Sequence, residues 1–127
     1  MDLCQTYLSP PYQLMNTEPR KAEQVEPPPL IVFIDCFFEE LIPPYIAQKR
    51  NDIEIMLTSL QKNDFSTIEV LADHMKGNGG SYGFDFISEL GGELELATQL
   101  NDREQVLYLL YELFIYLERV RIVYLRR

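Results

Sequence analysis

The 127-residue sequence has little histidine, cysteine or basic charge, and each scarcity excludes a class of function. It has one histidine and two widely spaced cysteines, Cys4 and Cys36, which fit neither a zinc-ligand spacing nor a disulfide framework. Twenty acidic and eleven basic residues give a formal net charge of −9. Nucleic acid is therefore disfavoured as a partner, because binding it needs a surplus of Lys and Arg. We expect no metal and no cofactor.

Long hydrophobic runs are also missing. No stretch of about 18 consecutive apolar residues predicts a membrane span, and the N-terminus lacks the basic and apolar regions of a secretory signal. Because cysteine usage favours a reducing compartment, the expected location is the cytoplasm. The single histidine has no convincing nucleophile partner, and Cys36 lies in an apolar stretch typical of a buried small hydrophobe. We therefore do not expect an enzyme.

Proline and glycine are concentrated in two parts of the chain. Residues 1–29 hold six of the eight prolines and show no apolar periodicity, which predicts a flexible or extended tail. The alternative is a short arm that docks through its leucines and tyrosines. All six glycines lie between positions 77 and 92. The sequence thus predicts a tail over 1–29 and one folded domain over 30–127, a size that suits a single core.

Within the folded domain, apolar residues recur at the i, i+3, i+4, i+7 spacing of amphipathic helices. The predicted helices span about 43–62, 65–76, 84–100 and 102–124. Short links between four such helices predict an all-α, up-down-up-down four-helix bundle. The β-prone run LIVFID at 30–35 has no predicted strand to pair with, so we expect an extended lead-in packed on the bundle.

Glycines and arginines add local expectations. Gly91 and Gly92 lie inside the third helical pattern, where each weakens the helix by about 1 kcal/mol relative to Ala, which indicates a close helix–helix approach. The end of the last helical pattern is rich in cations, which complement the dipole of a helix C-terminus. These cations are Arg119, Arg121, Arg126 and Arg127.

The stretch LADHMKGNGGSYGF, residues 71–84, contains the only histidine. On a helical wheel Asp73 points away from the buried stripe most directly, and His74 is rotated by about 100° toward the shoulder of the core. Lys76 and Gly77 follow Asp73 by three and four residues and therefore flank it rather than His74. A nearby cation and a small neighbour suit a phosphate-accepting position, but position 73 carries a carboxylate. The expected buried stripe is Ile68, Leu71, Ala72 and Met75.

These residues resemble the motif of histidine-phosphotransfer (HPt) domains of two-component phosphorelays, which is His-x-x-Lys-Gly, five residues, then Gly. Lys76, Gly77 and Gly83 match the motif, Asp73 stands at its histidine position, and the similarity extends from about residue 30 to the end. The resemblance implies a four-helix bundle that docks the receiver domain of a response regulator, with a histidine kinase as a further partner. It also implies a phosphocarrier, because the receiver supplies the magnesium site and most of the catalysis.

The aspartate at the histidine position leaves three interpretations. A π-bulge turns His74 outward as the phospho-acceptor; Asp73 itself accepts phosphate; or the fold docks receivers without phosphotransfer, with Asp73 placing a fixed negative charge where phosphohistidine would sit. We expect the third. The functional alternative is a structural bundle that forms a homodimer or binds a partner helix through its aromatic last helix. That helix carries Tyr108, Tyr111, Phe114, Ile115 and Tyr116.

Overall fold

The computed structural model describes residues 30–126, so the predicted tail and its docking-arm alternative lie outside the described residues. Four α-helices occupy most of this range and confirm the predicted all-α four-helix bundle. They are α1 Ile42–Gln61, α2 Phe65–Asn78, α3 Asp85–Gln99 and α4 Arg103–Arg119. Two strands, β1 Leu30–Asp35 and β2 Val120–Leu125, flank the bundle.

Side-chain caps determine where two of the helices begin. The Asp64 carboxylate accepts a hydrogen bond from the Thr67 backbone N–H at 3.2 Å, and Asp102 accepts one from the Gln105 N–H at 3.1 Å. Each cap satisfies one of the backbone donors that a helix N-terminus leaves without a partner. Because the links 62–64 and 100–102 are only three residues long, α1 and α2 are antiparallel neighbours, and so are α3 and α4.

The core consists of the apolar stripes that the periodicity predicts. Ile68, Ala72 and Met75 of α2 are fully buried, whereas Leu71 is only partly buried. Each helix contacts its two neighbours in the order α1, α2, α3, α4 and back to α1. The side of the bundle formed by α2 and α3 is therefore opposite the side formed by α1 and α4.

The C-terminal segment is the main departure from the predicted fold. α4 ends at Arg119, and the next six residues form β2, which pairs in parallel with β1 from Leu30↔Val120 to Asp35↔Leu125. The prediction of an unpaired lead-in was therefore wrong, and so was the prediction of a helix reaching residue 124. In β2 the even-numbered side chains pack on the core and the odd-numbered ones are exposed, the period of two that a half-buried strand requires.

The arginines follow this corrected topology. Only Arg119 lies in the last turn of α4, where the dipole argument applies. Arg121 belongs to β2, and Arg127 is outside the described residues. Arg126 donates two hydrogen bonds to Glu39, at 2.6 and 3.1 Å, and this carboxylate raises the pKa of Arg126. Its role is thus to fasten the end of the sheet to the turn that follows β1.

A buried ion pair lies inside the bundle on α1. Lys49 is only 2% exposed, and its Nζ lies 2.9 Å from the Asp52 carboxylate and 5.0 Å from the centroid of the Tyr45 ring. The Tyr45 hydroxyl donates a hydrogen bond to Asn78 Oδ1 at 2.9 Å. This chain of contacts connects the interior of α1 to the last residue of α2.

Candidate docking surface on the second and third helices

The two candidate phospho-acceptors of the sequence analysis, Asp73 and His74, both lie on α2. α2 is a continuous α-helix from Phe65 to Asn78, so it contains no π-bulge. Asp73 and His74 are nevertheless both exposed, about 100° apart around the helix. The expectation that His74 lies at the shoulder of the core was wrong, because Leu71 on the same side is only partly buried and the buried stripe is narrower than predicted.

Neither acceptor candidate has catalytic machinery beside it. Within residues 30–126, the side chains of Asp73 and His74 make no hydrogen bond and no ion pair. The same part of the chain contains no group of three His, Cys, Asp or Glu residues that could hold a metal ion.

The Lys76 side chain extends from α2 toward a carboxylate on α3. Its Nζ lies 3.1 Å from Glu95 Oε1, and the lysine side chain is 56% exposed. The Ser88 hydroxyl donates to the Lys76 carbonyl at 2.7 Å and so ties the last turns of α2 to α3. The Glu95 side chain is only 19% exposed, so this ion pair is partly buried and is screened less than a pair exposed on both sides.

The glycines near this surface have two different roles. Gly77 is exposed, and a Cβ added there would have no atom within 4 Å, so it leaves a surface poor in side chains. A Cβ on Gly91 would lie 2.5 Å from the Lys76 nitrogen and 2.7 Å from the Ala72 oxygen. The close helix approach predicted for this region is therefore confirmed at Gly91. At Gly92 the nearest atom would be 4.0 Å away, so no such approach occurs.

Gly83 lies apart from the other motif residues. It has a φ of 96°, in the left-handed region that favours glycine, and it ends the short 3-10 turn Gly80–Tyr82. A Cβ there would also come within 3.2 Å of Ile34 Cγ1 in β1. Gly83 therefore shapes the turn between α2 and α3 and its packing on the sheet.

Exposed apolar side chains border the charged residues of the surface. Val70 is 54% exposed one turn before His74, and Leu96 of α3 is 57% exposed one residue after Glu95. Val70 lies opposite the buried stripe on the helical wheel of α2, whereas no pattern in the sequence marks Leu96. We call this surface the α2–α3 face and define it as Val70, Asp73, His74, Lys76, Gly77, Glu95 and Leu96.

The composition of the α2–α3 face suits protein docking. Protein–protein interfaces combine an apolar centre with a polar rim, and Val70 and Leu96 are the exposed apolar residues of this face. Asp73 and Glu95 outnumber Lys76, so the face has a negative charge when His74 is neutral. Such a face favours a partner that brings a cation to Asp73.

Comparison with protein-family models, with curated proteins and with solved structures finds no match to this chain. No helix among residues 30–126 is long and apolar enough to cross a membrane.

Proposed function

We propose that this protein is an HPt-like docking module of a two-component phosphorelay, and that its α2–α3 face binds the receiver domain of a response regulator. The observation that carries the proposal is how three residues are arranged on α2, the second helix of a four-helix bundle. Lys76 and Gly77 lie one turn after the exposed Asp73, at the HPt motif spacing. Gly91 supports this arrangement because it brings α3 close to Ala72 and Lys76.

The same geometry argues against phosphotransfer. The motif position holds a carboxylate, and a phosphate on His74 would stand beside the Asp73 charge and away from Lys76, which Glu95 already engages. In this proposal Asp73 supplies a permanent negative charge at the docking surface. The protein would bind a receiver domain or a histidine kinase without carrying phosphate. We propose that it does so in the cytoplasm.

A phosphotransfer assay separates docking from transfer. The protein is incubated with a phosphorylated receiver domain, and acid-labile, base-stable label is traced on it. We expect no label on the wild type and label on Asp73→His, which restores the motif. Label on the wild type that disappears in His74→Gln would overturn the transfer-incompetent version and leave docking intact.

A binding assay tests the docking step itself. Asp73→Lys is expected to weaken binding to the receiver by about tenfold, because it reverses the negative charge that the proposal assigns to the docking surface. Val123→Ala is the matched control, because this exposed residue lies on β2 outside the face. If the two variants bind equally well, the α2–α3 face is not the docking surface.

The alternative of an interaction bundle has a specific observation in its favour. Tyr108, Tyr111 and Phe114 of α4 are 56%, 61% and 45% exposed, as an aromatic interaction surface requires. Tyr116, in contrast, is buried at 6% exposed. Tyr111 and Phe114 lie on the α1–α4 side of the bundle, opposite the α2–α3 face, so the two binding functions are compatible in one protein.

A further inference from the structure

An apolar groove runs between α1 and α4. Its volume is about 230 Å³, and its walls are Ile53, Leu57, Leu107, Leu110, Tyr111 and Phe114. Four of these large side chains are exposed, among them Leu107 at 52% and Tyr111 at 61%. Adjoining exposed apolar side chains of this kind make the groove a candidate interaction site. We call it the α1–α4 groove.

Hydrogen bonds from two arginines join α1 and α4 at the two ends of the groove. Arg50 of α1 donates to Glu118 Oε2 at 2.6 Å and to the Leu117 carbonyl at 3.1 Å on α4. At the other end Arg103 of α4 donates to the Leu60 carbonyl at 2.5 Å and to Asn63 Oδ1 at 2.9 Å. The two helices are thus tied together on both sides of the apolar segment, which gives the groove a defined width.

The distance between these links sets the length of an occupant. Arg50 and Leu60 are ten residues apart on α1, which corresponds to about 15 Å along the helix axis. That length matches about three turns of a helix lying in the groove. A helix of this length presents apolar residues at i, i+3 or i+4, and i+7, which is the pattern that grooves between helices accept.

The charges at the rim define the chemistry of the occupant. Both arginines near the groove are engaged in the links between α1 and α4. Glu54 and Glu104 are exposed, and within residues 30–126 neither forms an ion pair. Glu54 and Glu104 therefore bring negative charge without an ion-pair partner to the two helices that line the groove. The formal net charge of −9 also makes a second copy of this chain a poor electrostatic match.

We propose that the α1–α4 groove binds a basic amphipathic helix of about three turns from another protein, with Lys or Arg on the flanks of its apolar face. The cations of the helix meet Glu54 and Glu104 while its apolar side chains fill the space above Leu107 and Phe114. Because this groove is opposite the α2–α3 face, the protein can hold this helix and a second partner at the same time.

A designed peptide of about 14 residues tests the groove directly. The probe has Leu and Phe on one helical face and Lys and Arg on its flanks. One control peptide has the same composition in scrambled order, and the other has Glu in place of Lys and Arg. Fluorescence anisotropy with the full chain is expected to show saturable binding of the probe that weakens as salt is raised, and binding of both controls at least about tenfold weaker. Equal binding of probe and scrambled peptide would overturn the proposal.

Variants locate the binding on the protein. Phe114→Ala is expected to weaken probe binding by about tenfold and Glu54→Lys by about threefold. Val123→Ala removes exposed apolar surface from the sheet and is expected to change nothing. Asp73→His is also expected to leave probe binding unchanged, because Asp73 lies on the α2–α3 face. The peptide assay therefore tests the groove independently of receiver docking.

Two results would assign the groove otherwise. Phe114→Ala binding as tightly as the wild type would show that the peptide binds elsewhere. Sedimentation that finds a dimer at micromolar concentration, which Phe114→Ala converts to a monomer, would assign the groove to a second copy of this chain. A monomer in both cases supports an external helix.

Discussion

Replacing Gly91 by alanine is expected to destabilise the bundle by forcing α2 and α3 apart. The new methyl group would lie 2.5 Å from the Lys76 nitrogen and 2.7 Å from the Ala72 oxygen, which are backbone atoms that no rotamer change can move away. Overpacking of this kind costs about 1–3 kcal/mol, and a clash with backbone belongs at the upper end. Alanine regains about 1 kcal/mol of helix propensity. The expected net loss is about 1–2 kcal/mol.

The adjacent glycine provides the control for this prediction. At Gly92 a Cβ would come no closer than 4.0 Å to any atom, here Lys76 Cδ, so only the propensity gain remains. Gly92→Ala is therefore expected to stabilise the protein by up to about 1 kcal/mol.

Urea and thermal unfolding followed by far-ultraviolet circular dichroism measure both changes. For a domain of this size each kcal/mol shifts the unfolding midpoint by about 4–8 °C. If Gly91→Ala were as stable as Gly92→Ala, the close contact between α2 and α3 would be refuted.

Two further predictions concern buried ionisable groups. Asp52→Ala leaves the Lys49 ammonium buried without its partner and is expected to cost about 3–5 kcal/mol in urea unfolding, whereas exposed Asp73→Ala should stay within about 0.5 kcal/mol of the wild type. Burial, and then the Asp85 charge, raise the pKa of Tyr116 to about 12 from 10.0. The unfolded chain loses the Tyr116 hydroxyl proton at a lower pH than the folded protein does. The contribution of Tyr116 to the free energy of unfolding is therefore fully present below pH 10.0 and is lost as pH rises toward 12. Tyr116→Phe should lessen this decline without abolishing it, because burial also raises the pKa of Tyr45 and of Tyr108. Titration of Tyr116 in the native state near its ordinary pKa would contradict the prediction.

The helices were predictable from the sequence because their signals are local. Ile68, Ala72 and Met75 repeat at helical spacing, and the structure buries all three. Asp64 and Asp102 are the capping residues that begin α2 and α4. Local periodicity and capping thus predict the number, order and approximate limits of the four helices.

The strand pair was not predictable in the same way. Val120 and Val123 continue the spacing of the α4 stripe, so periodicity alone favours a longer helix there. The pairing joins segments about 90 residues apart, and no local pattern specifies such a contact. The β-branched residues of VRIVYL indicate a strand, but this indication is persuasive only when β1 is considered as the partner strand.

The residues that α2 contributes to the candidate site were predictable, but the residues that α3 contributes and the contacts between them were not. The spacing places Asp73, Lys76 and Gly77 on one exposed side of α2, as the structure shows. The engagement of Lys76 by Glu95 depends on how α2 and α3 cross, which a single sequence does not specify. The burial of Lys49 has the same origin, because only the packed bundle shows that the lysine points inward.

The most direct test of receiver docking is a titration of the ¹⁵N-labelled protein with purified receiver domains of its source organism, followed by heteronuclear NMR. We predict that one receiver produces saturable shift changes centred on Asp73, Lys76 and Gly77, with the α1–α4 groove unaffected. Changes confined to the groove, or no saturable change with any receiver, would contradict the assignment of the α2–α3 face as a receiver-docking surface.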